Sequence, residues 1–422
     1  MNRMVESGKT LLVDGPASVI VISGKVEVFG SAPDNLSRIV IRQGKRLPFT
    51  VEKTANFEIS LGANATIEEV DGTTIPESWM KSLKELLSFR TRPVIGVVLG
   101  TVDSGKTSFC TYLVNRLADK ERKVAILDGD LGQSDIGPPC TIAYNFAAKP
   151  VTDLFNLEAK NAFFVGATSP SEAIDKTVEG LTTLMREILE SAPDFVVVNT
   201  DGWVVGEDAV KYKSRLIGEV KPDIVFCIQR KGELAPLLDV LEKFRVTVVD
   251  SPVTIRQRSR EKRKNLRELG YVKYLRNAKV QSLPIDWLKI KQNGLLKLGR
   301  ERRSIQQAEE ASEISGIGSL HHEKNRVIGT DDINKVEEVA NKKAVLFRKG
   351  QEGLLLGLYD SQQKFLGIGV LREIDYSRST LKVLTPIAQG ISTAIFGKVK
   401  LDKNLREIPT PIEGNSLEFK KT

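Results

Sequence analysis

The central part of the chain alternates short apolar runs with longer amphipathic segments. The apolar runs, several of which lack polar alternation, occupy 94–99, 124–128, 162–165, 195–199, 224–228 and 246–249. Helix-compatible segments separate most of them, at 106–120, 171–190, 207–219 and 233–243. Uninterrupted apolar strands are typical of a parallel sheet that helices cover on both faces. The pattern therefore predicts an α/β fold with a doubly wound, mostly parallel central sheet, whose ligands lie at the carboxyl ends of its strands.

Strand signals of a different kind occur at both ends of the chain. The apolar runs 19–22 and 26–29 flank Ser23-Gly24-Lys25 and predict a hairpin that turns there. Further short strands are predicted at 39–41, 49–51 and 57–59, and β signals return from residue 344 onward. We therefore expect three parts: an N-terminal β domain over 1–88, a central domain over 89–280 and a C-terminal β-rich domain over 281–422.

Composition excludes several classes of protein. The 41% hydrophobic and 27% charged residues are typical of a globular protein. No apolar run approaches the roughly 20 residues of a membrane helix, so we expect a cytoplasmic protein without a membrane partner. The three scattered cysteines, Cys110, Cys140 and Cys227, are expected to be reduced core residues. The two histidines, His321 and His322, are adjacent in a polar stretch, which argues against histidine-based metal or triad chemistry.

The net charge of +8 is concentrated in one segment of the chain. Residues 1–90 carry 11 basic and 11 acidic side chains and are neutral. Residues 251–310 carry 16 basic and 6 acidic side chains, a surplus of 10 positive charges. This surplus indicates a polyanionic partner that meets the segment, with a solvated basic helix as the alternative.

A phosphate-binding motif follows the first central strand. It fits G-x-x-x-x-G-K-[ST] at every fixed position. The matching residues, with the serine that follows them, are Gly100, Thr101, Val102, Asp103, Ser104, Gly105, Lys106, Thr107 and Ser108. The glycines let backbone N–H groups point inward around an anion, and the helix that follows adds its positive end. Lys106 is then expected to reach the β- and γ-phosphates, and Thr107 to ligate Mg²⁺. The alternative is a glycine-rich turn between a strand and a helix.

The second central strand ends in two acidic residues. An apolar strand that runs into Asp128 is the Walker B pattern, in which a carboxylate holds Mg²⁺. Asp130, two residues further on, is a candidate acceptor for the proton of an attacking hydroxyl. Gln133 is a candidate for orienting the nucleophile or a phosphate. The alternative is an ordinary Asp- and Gly-rich turn at the end of a strand.

Three further segments carry candidate substrate-binding residues. Thr168 and Ser169 lie between a strand and a helix, where hydroxyls either cap the helix or hold a phosphate or the 5′ end of a substrate. Trp203 follows another strand and either covers the core or provides a platform for base stacking. The arginine-rich segment suits charge neutralisation on a transferring phosphoryl group or contact with a nucleic-acid backbone. Its candidate residues are Arg258, Arg263 and Arg267.

Four of these motifs together resemble the polynucleotide 5′-hydroxyl kinase family. They are the P-loop, the Asp-x-Asp-x-Gly-Gln strand end, the Thr-x-Gly-Trp strand end and the arginine-rich segment. The family comprises RNA-processing P-loop kinases related to the cleavage-factor and pre-rRNA-processing kinases. The three-part layout is most similar to archaeal-type members, and the resemblance covers nearly the whole chain.

The resemblance implies a role for each matching residue. Residues 100–107 would hold the ATP phosphates, and Asp128 would support Mg²⁺. Asp130 would activate the 5′-hydroxyl of RNA or DNA with the assistance of Gln133. The acceptor end would be held by a clasp and a stacking platform, formed by Thr168, Ser169 and Trp203. A lid would close over the triphosphate through Arg258, Arg263 and Arg267. The N-terminal β domain would help to enclose the adenine.

The sequence leaves two other functions open. Some members of the family act mainly as ATP-bound scaffolds, so a catalytically idle adaptor in an RNA-processing complex is the main alternative. The β domains would then contact RNA-processing proteins. A GTPase or MinD-like switch is a weaker alternative, because the chain has no convincing Asn-Lys-x-Asp signal and a switch does not explain the clustered arginines.

Overall fold

The computed structural model describes residues 1–118, 122–292, 327–328, 345–346, 351–375 and 377–409. The chain divides into two compact units, Met1–Leu269 and Gly270–Thr422. The first unit contains both the N-terminal strands and the phosphate-binding motif. The predicted domain limits at 88/89 and 280/281 stay predictions. His321 and His322 lie outside the described residues.

The N-terminal strands form one antiparallel sheet in the order β4-β3-β5-β2-β6, with β1 paired to β5. The strands are β1 (Asn2–Val5), β2 (Lys9–Asp14), β3 (Ala17–Glu27), β4 (Arg38–Ile41), β5 (Arg46–Leu61) and β6 (Ile67–Asp71). The predicted N-terminal β module is therefore present, but two details of the prediction are wrong. The hairpin at 23–25 does not exist, because β3 continues through it, and the runs 49–51 and 57–59 belong to the single strand β5.

Gly24 explains why the hairpin prediction failed. Its φ of +103° lies in the left-handed region, which a turn also uses. Here the glycine serves an irregularity in the pairing of β3 with β5, where the register shifts near Ser23 and Lys25. A Cβ atom at Gly24 would lie 2.5 Å from the Cα atom of Ala55, so the position requires glycine for close strand approach.

The central sheet has seven strands in the order β10-β9-β8-β11-β7-β12-β13. They are β7 (Val94–Gly100), β8 (Val124–Gly129), β9 (Thr141–Ala147), β10 (Asn161–Phe164), β11 (Phe195–Thr200), β12 (Ile224–Gln229) and β13 (Val246–Asp250). Strands β8, β11, β7, β12 and β13 are parallel, whereas β9 pairs antiparallel with both β8 and β10. The predicted α/β fold with a mostly parallel sheet is confirmed. Strand β9 was not predicted, because polar residues interrupt its apolar run.

Helices accompany this sheet at α1 (Glu77–Ser88), α2 (Lys106–Leu117), α3 (Ile174–Glu190), α4 (Glu207–Val220), α5 (Ala235–Val240) and α6 (Arg260–Tyr274). Trp79 of α1 is fully buried, packs edge-on against Phe109 of α2 and donates a 3.0 Å hydrogen bond to the Asp250 carbonyl. This packing joins α1 to the edge strand β13. The three cysteines all lie in the described ranges, form no disulfide and are buried, as predicted.

The second unit contains a seven-stranded sheet in the order β14-β20-β19-β18-β21-β15, with β22 paired to β21. Its strands are β14 (Lys279–Pro284), β15 (Lys289–Gln292), β18 (Leu354–Tyr359), β19 (Phe365–Asp375), β20 (Thr380–Thr385), β21 (Thr393–Leu401) and β22 (Glu407–Ile408). Two short strands, β16 (Val327–Ile328) and β17 (Val345–Leu346), pair with each other. These strands confirm the prediction that this region is β-rich. The core that they enclose includes Leu356, Val383 and Phe396.

None of the helices in the described ranges combines the length and apolar character that a membrane crossing requires. The cytoplasmic location stays a prediction.

Candidate active site

The phosphate-binding motif forms the loop between β7 and α2. Gly105 precedes the helix with a φ of +101°, and Asp103 has a φ of +56°. A Cβ atom at Gly100 would lie 2.8 Å from the Ile228 carbonyl oxygen, so the loop passes too close to β12 for a larger residue. Lys106, Thr107 and Ser108 form the first turn of α2. The structure thus provides the strand, loop and helix that phosphate binding requires.

Two polar side chains of the phosphate-binding motif, Ser104 and Lys106, are buried. The Lys106 ammonium donates a 2.8 Å hydrogen bond to the Thr101 carbonyl, and its burial lowers its pKa despite the nearby charge of Asp130. The Ser104 hydroxyl is buried and has no hydrogen-bond partner among the described residues. A buried hydroxyl without a partner and a buried ammonium are both costly in the free protein, and a bound phosphate could accept hydrogen bonds from both groups.

Asp128 lies at the end of β8 and is fully buried. Its Oδ1 accepts a 3.0 Å hydrogen bond from Asn199 Nδ2, and its Oδ2 accepts one of 2.7 Å from the Asp135 N–H. The same Asn199 amide group lies 3.4 Å from Thr107 Oγ1. Asn199 therefore links the two predicted magnesium ligands, Asp128 and Thr107. The sequence analysis missed Asn199, although a polar residue at the end of the apolar strand β11 was a visible signal.

The carboxylates of this site have unusual pKa values. Burial, reinforced by the neighbouring Asp135 and Asp130 carboxylates, raises the pKa of Asp128 to about 7. Burial also raises the pKa of Asp130, although the Lys106 ammonium opposes this shift. A divalent cation would stabilise the ionised forms of such carboxylates.

Asp130 lies in the loop after β8 and not in the strand. Its Oδ1 accepts hydrogen bonds from the N–H groups of Gly132 (3.1 Å) and Gln133 (3.0 Å). Its Oδ2 accepts none from the described residues and is available to a substrate. The Gln133 side chain donates 3.1 Å to the Arg263 carbonyl, which connects this loop to α6.

The arginine-rich segment contacts the P-loop through Asp103, whose side chain is only 5% exposed. Asp103 accepts a 2.8 Å hydrogen bond from the Arg258 N–H, and its carboxylate lies 3.4 Å from both the Arg258 and the Arg263 guanidinium groups. Arg258 Nε also donates 3.1 Å to the Gly44 carbonyl of the N-terminal sheet. Arg267 lies four residues after Arg263 on α6. Asp103 was predicted only as part of the P-loop.

Trp203 lies after β11 and stacks on Tyr212 of α4 with ring centroids 5.6 Å apart. The buried Asp201 carboxylate supports it, because Asp201 accepts from the Trp203 N–H at 2.9 Å, the Tyr212 hydroxyl at 2.9 Å and Lys213 Nζ at 2.7 Å. Lys213 is itself fully buried. One face of the indole is therefore fixed by the protein.

The predicted clasp residues lie beside the Asp130 loop. A Cβ atom at Gly132 would lie 2.9 Å from the Thr168 carbonyl oxygen, so the two loops are in close contact. Ser169 caps the short 3-10 turn at Pro170–Glu172, and its hydroxyl lies 2.8 Å from that of Ser171. The capping role considered from the sequence is therefore present at Ser169.

The residues at this edge of the sheet fit one magnesium ion held together with a nucleotide. Among the described residues, no group of three or more His, Cys, Asp or Glu side chains could hold a metal by itself. Magnesium beside phosphates needs only one or two carboxylates, because phosphate oxygens and water complete its octahedron. The linked pair Asp128 and Thr107 meets this requirement.

The P-loop, Asp128 at the end of β8, Asp130 in the following loop and the arginine-rich segment together define a P-loop phosphotransferase class of site. A family model described as the mRNA cleavage and polyadenylation factor CLP1 P-loop matches residues 100–277. The chain is 30% identical over 346 residues to a polyribonucleotide 5′-hydroxyl-kinase of Thermococcus kodakarensis, which covers 79% of this chain and 95% of the relative. A kinase of the same name from Methanocaldococcus jannaschii is 29% identical over 349 residues, which is 80% of this chain and 94% of the relative.

The chain therefore belongs to the polyribonucleotide 5′-hydroxyl-kinase family, and the resemblance inferred from its motifs is confirmed. Among solved structures, a chain of the Clp1p–Pcf11p complex matches 95% of this chain with a TM-score of 0.68 and 12% identity, covering 97% of that chain. This match supports the fold.

Proposed function

We propose that this protein transfers the γ-phosphate of ATP to the 5′-hydroxyl end of a polynucleotide. The observation that carries the proposal is the convergence of Lys106, Asp130 and the linked pair Asp128 and Thr107 at one edge of the sheet. The names of its archaeal relatives make RNA the first acceptor to test, with DNA as the second.

ATP would bind with its phosphates in the P-loop. The N–H groups of residues 100–107 and the start of α2 supply a positive cradle, and Lys106 would reach the β- and γ-phosphates. The buried Ser104 hydroxyl, which has no hydrogen-bond partner within the described ranges, would be a further donor for a phosphate oxygen. Asp128 and Thr107 would hold Mg²⁺, which neutralises charge on the phosphates when bound.

Asp130 is the proposed general base. Its Oδ1 is held by two backbone N–H groups, which leaves Oδ2 to accept the proton of the attacking 5′-hydroxyl. Its raised pKa brings the carboxylate closer to the pH at which it works and improves its basicity. Gln133, fixed between this loop and α6, would assist at the same place.

The acceptor strand and the leaving phosphates would be held by the surrounding loops. A terminal base would stack on the face of Trp203 that Tyr212 does not cover, and Thr168 and Ser169 would contact the end of the strand. Arg258, Arg263 and Arg267 would neutralise the triphosphate as it reacts. The β-rich parts of the chain would offer surfaces to RNA-processing proteins.

The variant Asp130→Asn separates the kinase from an ATP-bound adaptor. We expect single-turnover phosphate transfer to a 5′-hydroxyl RNA oligonucleotide to fall about 10²- to 10⁴-fold, because a general base contributes that much. ATP binding, measured by equilibrium titration, should remain within about twofold, because the P-loop is intact. The exposed Asp34→Asn is the matched control and should behave as the wild type.

Two results would contradict the kinase proposal. Undiminished transfer by Asp130→Asn would remove Asp130 from its role. Tight ATP binding by the wild type without any transfer would favour the adaptor.

A further inference from the structure

A cluster of four charged side chains joins the N-terminal sheet to the central domain. Arg42 and Lys45 lie after β4, and both contact Asp135 and Asp153. Arg42 Nε donates 2.8 Å to Asp153 and its Nη2 group contacts Asp135, while Lys45 Nζ lies 3.1 Å from Asp135 and 3.3 Å from Asp153. The Arg42 guanidinium also covers the Phe155 ring at 4.3 Å. Each of the two carboxylates, which belong to loops of the central domain, is therefore held by two basic groups from the loop between β4 and β5 of the N-terminal sheet.

The cluster is largely shielded from water and is balanced in charge. The side chains of Asp135 and Asp153 are each 6% exposed, that of Lys45 is 15% exposed and that of Arg42 is 26% exposed. Burial alone would raise the pKa of Asp153, but Lys45 and Arg42 outweigh it and hold that pKa well below its usual range. Removing one basic partner would leave a poorly compensated buried carboxylate.

The cluster contacts the proposed reaction centre through Asp135, which belongs to the cluster and whose backbone binds Asp128. The Asp135 N–H donates 2.7 Å to Asp128 Oδ2, and the Ile136 N–H lies 3.3 Å from the same oxygen. The loop from Asp130 to Ile136 thus begins at the proposed general base and ends on the carboxylate that is proposed to hold magnesium. The side chain of Asp135 fixes this loop from outside, while its backbone orients Asp128.

We propose that Arg42 and Lys45 are positioning residues for phosphoryl transfer. By holding the Asp135 side chain they fix the N–H group that orients Asp128, so the N-terminal sheet sets the geometry of the reaction centre. This inference rests on the proposed function for its kinetic consequence. Its structural consequence, a loop that is held from the N-terminal sheet, does not depend on that function.

Arginine is specifically suited to position 42. Its planar guanidinium contacts Asp153 through both Nε and Nη2, contacts Asp135 through Nη2 and covers the Phe155 ring. The ammonium of Lys45 also contacts both carboxylates, but a lysine at position 42 lacks the planar fork that makes these contacts together. Arg42→Lys keeps the charge and should therefore rescue the loop only in part. This expectation distinguishes geometric positioning from a simple need for positive charge.

The test compares Arg42→Met and Arg42→Lys with Arg3→Met. Arg3 lies in the same sheet, and its ion pair with Glu69 does not touch the central domain, so it is the matched control. The first readout is hydrogen exchange of the peptide covering residues 130–137 in the ligand-free protein. The second is the pair kcat and KM for ATP.

We expect Arg42→Met to exchange about 10- to 100-fold faster in this peptide and to lose about 10- to 100-fold in kcat, as typical for a lost supporting contact. Its KM for ATP should change little, because the P-loop is untouched. Arg42→Lys should be intermediate and Arg3→Met unchanged. If Arg42→Met does not fold, Lys45→Met, which keeps the arginine, replaces it with the same expectation.

Unchanged exchange at 130–137 in a folded variant would overturn the inference. So would a kcat equal to that of the wild type despite faster exchange. If the wild type itself transfers no phosphate, the proposed function fails, and the exchange readout alone decides whether the N-terminal sheet holds this loop.

Discussion

The fully buried carboxylate of Asp128 couples the stability of the ligand-free protein to pH. Its pKa is about 7 in the folded protein, whereas an unfolded aspartate titrates near 3.9. Between about pH 4 and 7 the folded state therefore binds more protons than the unfolded state. It follows that Asp128 makes the free energy of unfolding decrease as the pH rises through this window.

We predict that this decrease disappears in Asp128→Asn. The contribution is at most ~1.4 kcal/mol per pH unit, so denaturant titrations at pH 5, 6 and 7 resolve it. The wild type should lose stability relative to the variant across this range. A difference between the two proteins that is independent of pH would show that Asp128 is ionised throughout.

Ser104 provides a second test at the scale of one residue. Its buried hydroxyl has no hydrogen-bond partner in the part of the chain that the structure describes, and such a group costs about 1–3 kcal/mol. Ser104→Ala should therefore stabilise the ligand-free protein by ~1 kcal/mol, measured by denaturant unfolding, and should weaken ATP binding several-fold in a titration. Ser88→Ala, which removes an exposed hydroxyl, is the control. Weaker stability together with unchanged ATP binding would show that the hydroxyl serves the fold.

The residues of the site differ in how visible they are in the sequence. Lys106, Thr107 and Asp128 follow fixed spacings after apolar strands, and a short spacing is enough to place them. Asn199 and Asp135 contact Asp128 only because their strand or loop lies next to it in the fold. The order of strands in a parallel sheet cannot be read from one sequence. The roles of all the predicted site residues stay predictions.

The arginine-rich segment illustrates a contact between elements that depends on one acidic side chain. Asp103 holds the segment before α6 to the P-loop through the N–H of Arg258 and the guanidinium groups of Arg258 and Arg263. Asp103 has a positive φ, which asparagine tolerates well, so Asp103→Asn removes the charge without straining the loop.

We predict that Asp103→Asn loosens this segment in the ligand-free protein. Limited trypsin digestion should cleave within residues 256–263 about tenfold faster than in the wild type, since a charged hydrogen bond is worth ~1.5 kcal/mol or more. Asp175→Asn, which breaks an exposed ion pair with Arg215, is the control. Equal cleavage rates in all three proteins would exclude Asp103 as the residue that holds the arginine-rich segment.

Prediction succeeded for elements with a strong local pattern and failed where pairing decided the outcome. The parallel strands β7, β8, β11 and β12 are almost entirely buried apolar runs, because both faces of the sheet are covered there. Strand β3 was predicted as a hairpin, because Gly24 has the same local signature in a turn and in an irregular strand. Strand β9 carries Asn145 and Tyr144 within its run, and its antiparallel pairing with β8 leaves no distinct sequence signal.

At the scale of the whole molecule, the N-terminal sheet belongs to the same compact unit as the P-loop. The contacts that show this join residues far apart in the chain, such as Arg42 and Asp135, which are 93 positions apart. Asn115 of α2 likewise donates 2.8 Å to the Phe29 carbonyl. The pattern of residue types along a sequence indicates where domains begin and end. It does not show which buried charged side chains form contacts between them.

The central claim is that one assembled site phosphorylates 5′-hydroxyl ends. The most direct measurement is transfer of labelled γ-phosphate from ATP, with Mg²⁺, to single-stranded 5′-hydroxyl RNA and DNA oligonucleotides, with oligonucleotides that already carry a 5′-phosphate as controls. We expect the wild type to label only 5′-hydroxyl ends and Lys106→Ala to label none. Labelling by Lys106→Ala at the wild-type rate, or no labelling by a wild-type protein that binds ATP, would contradict the central claim.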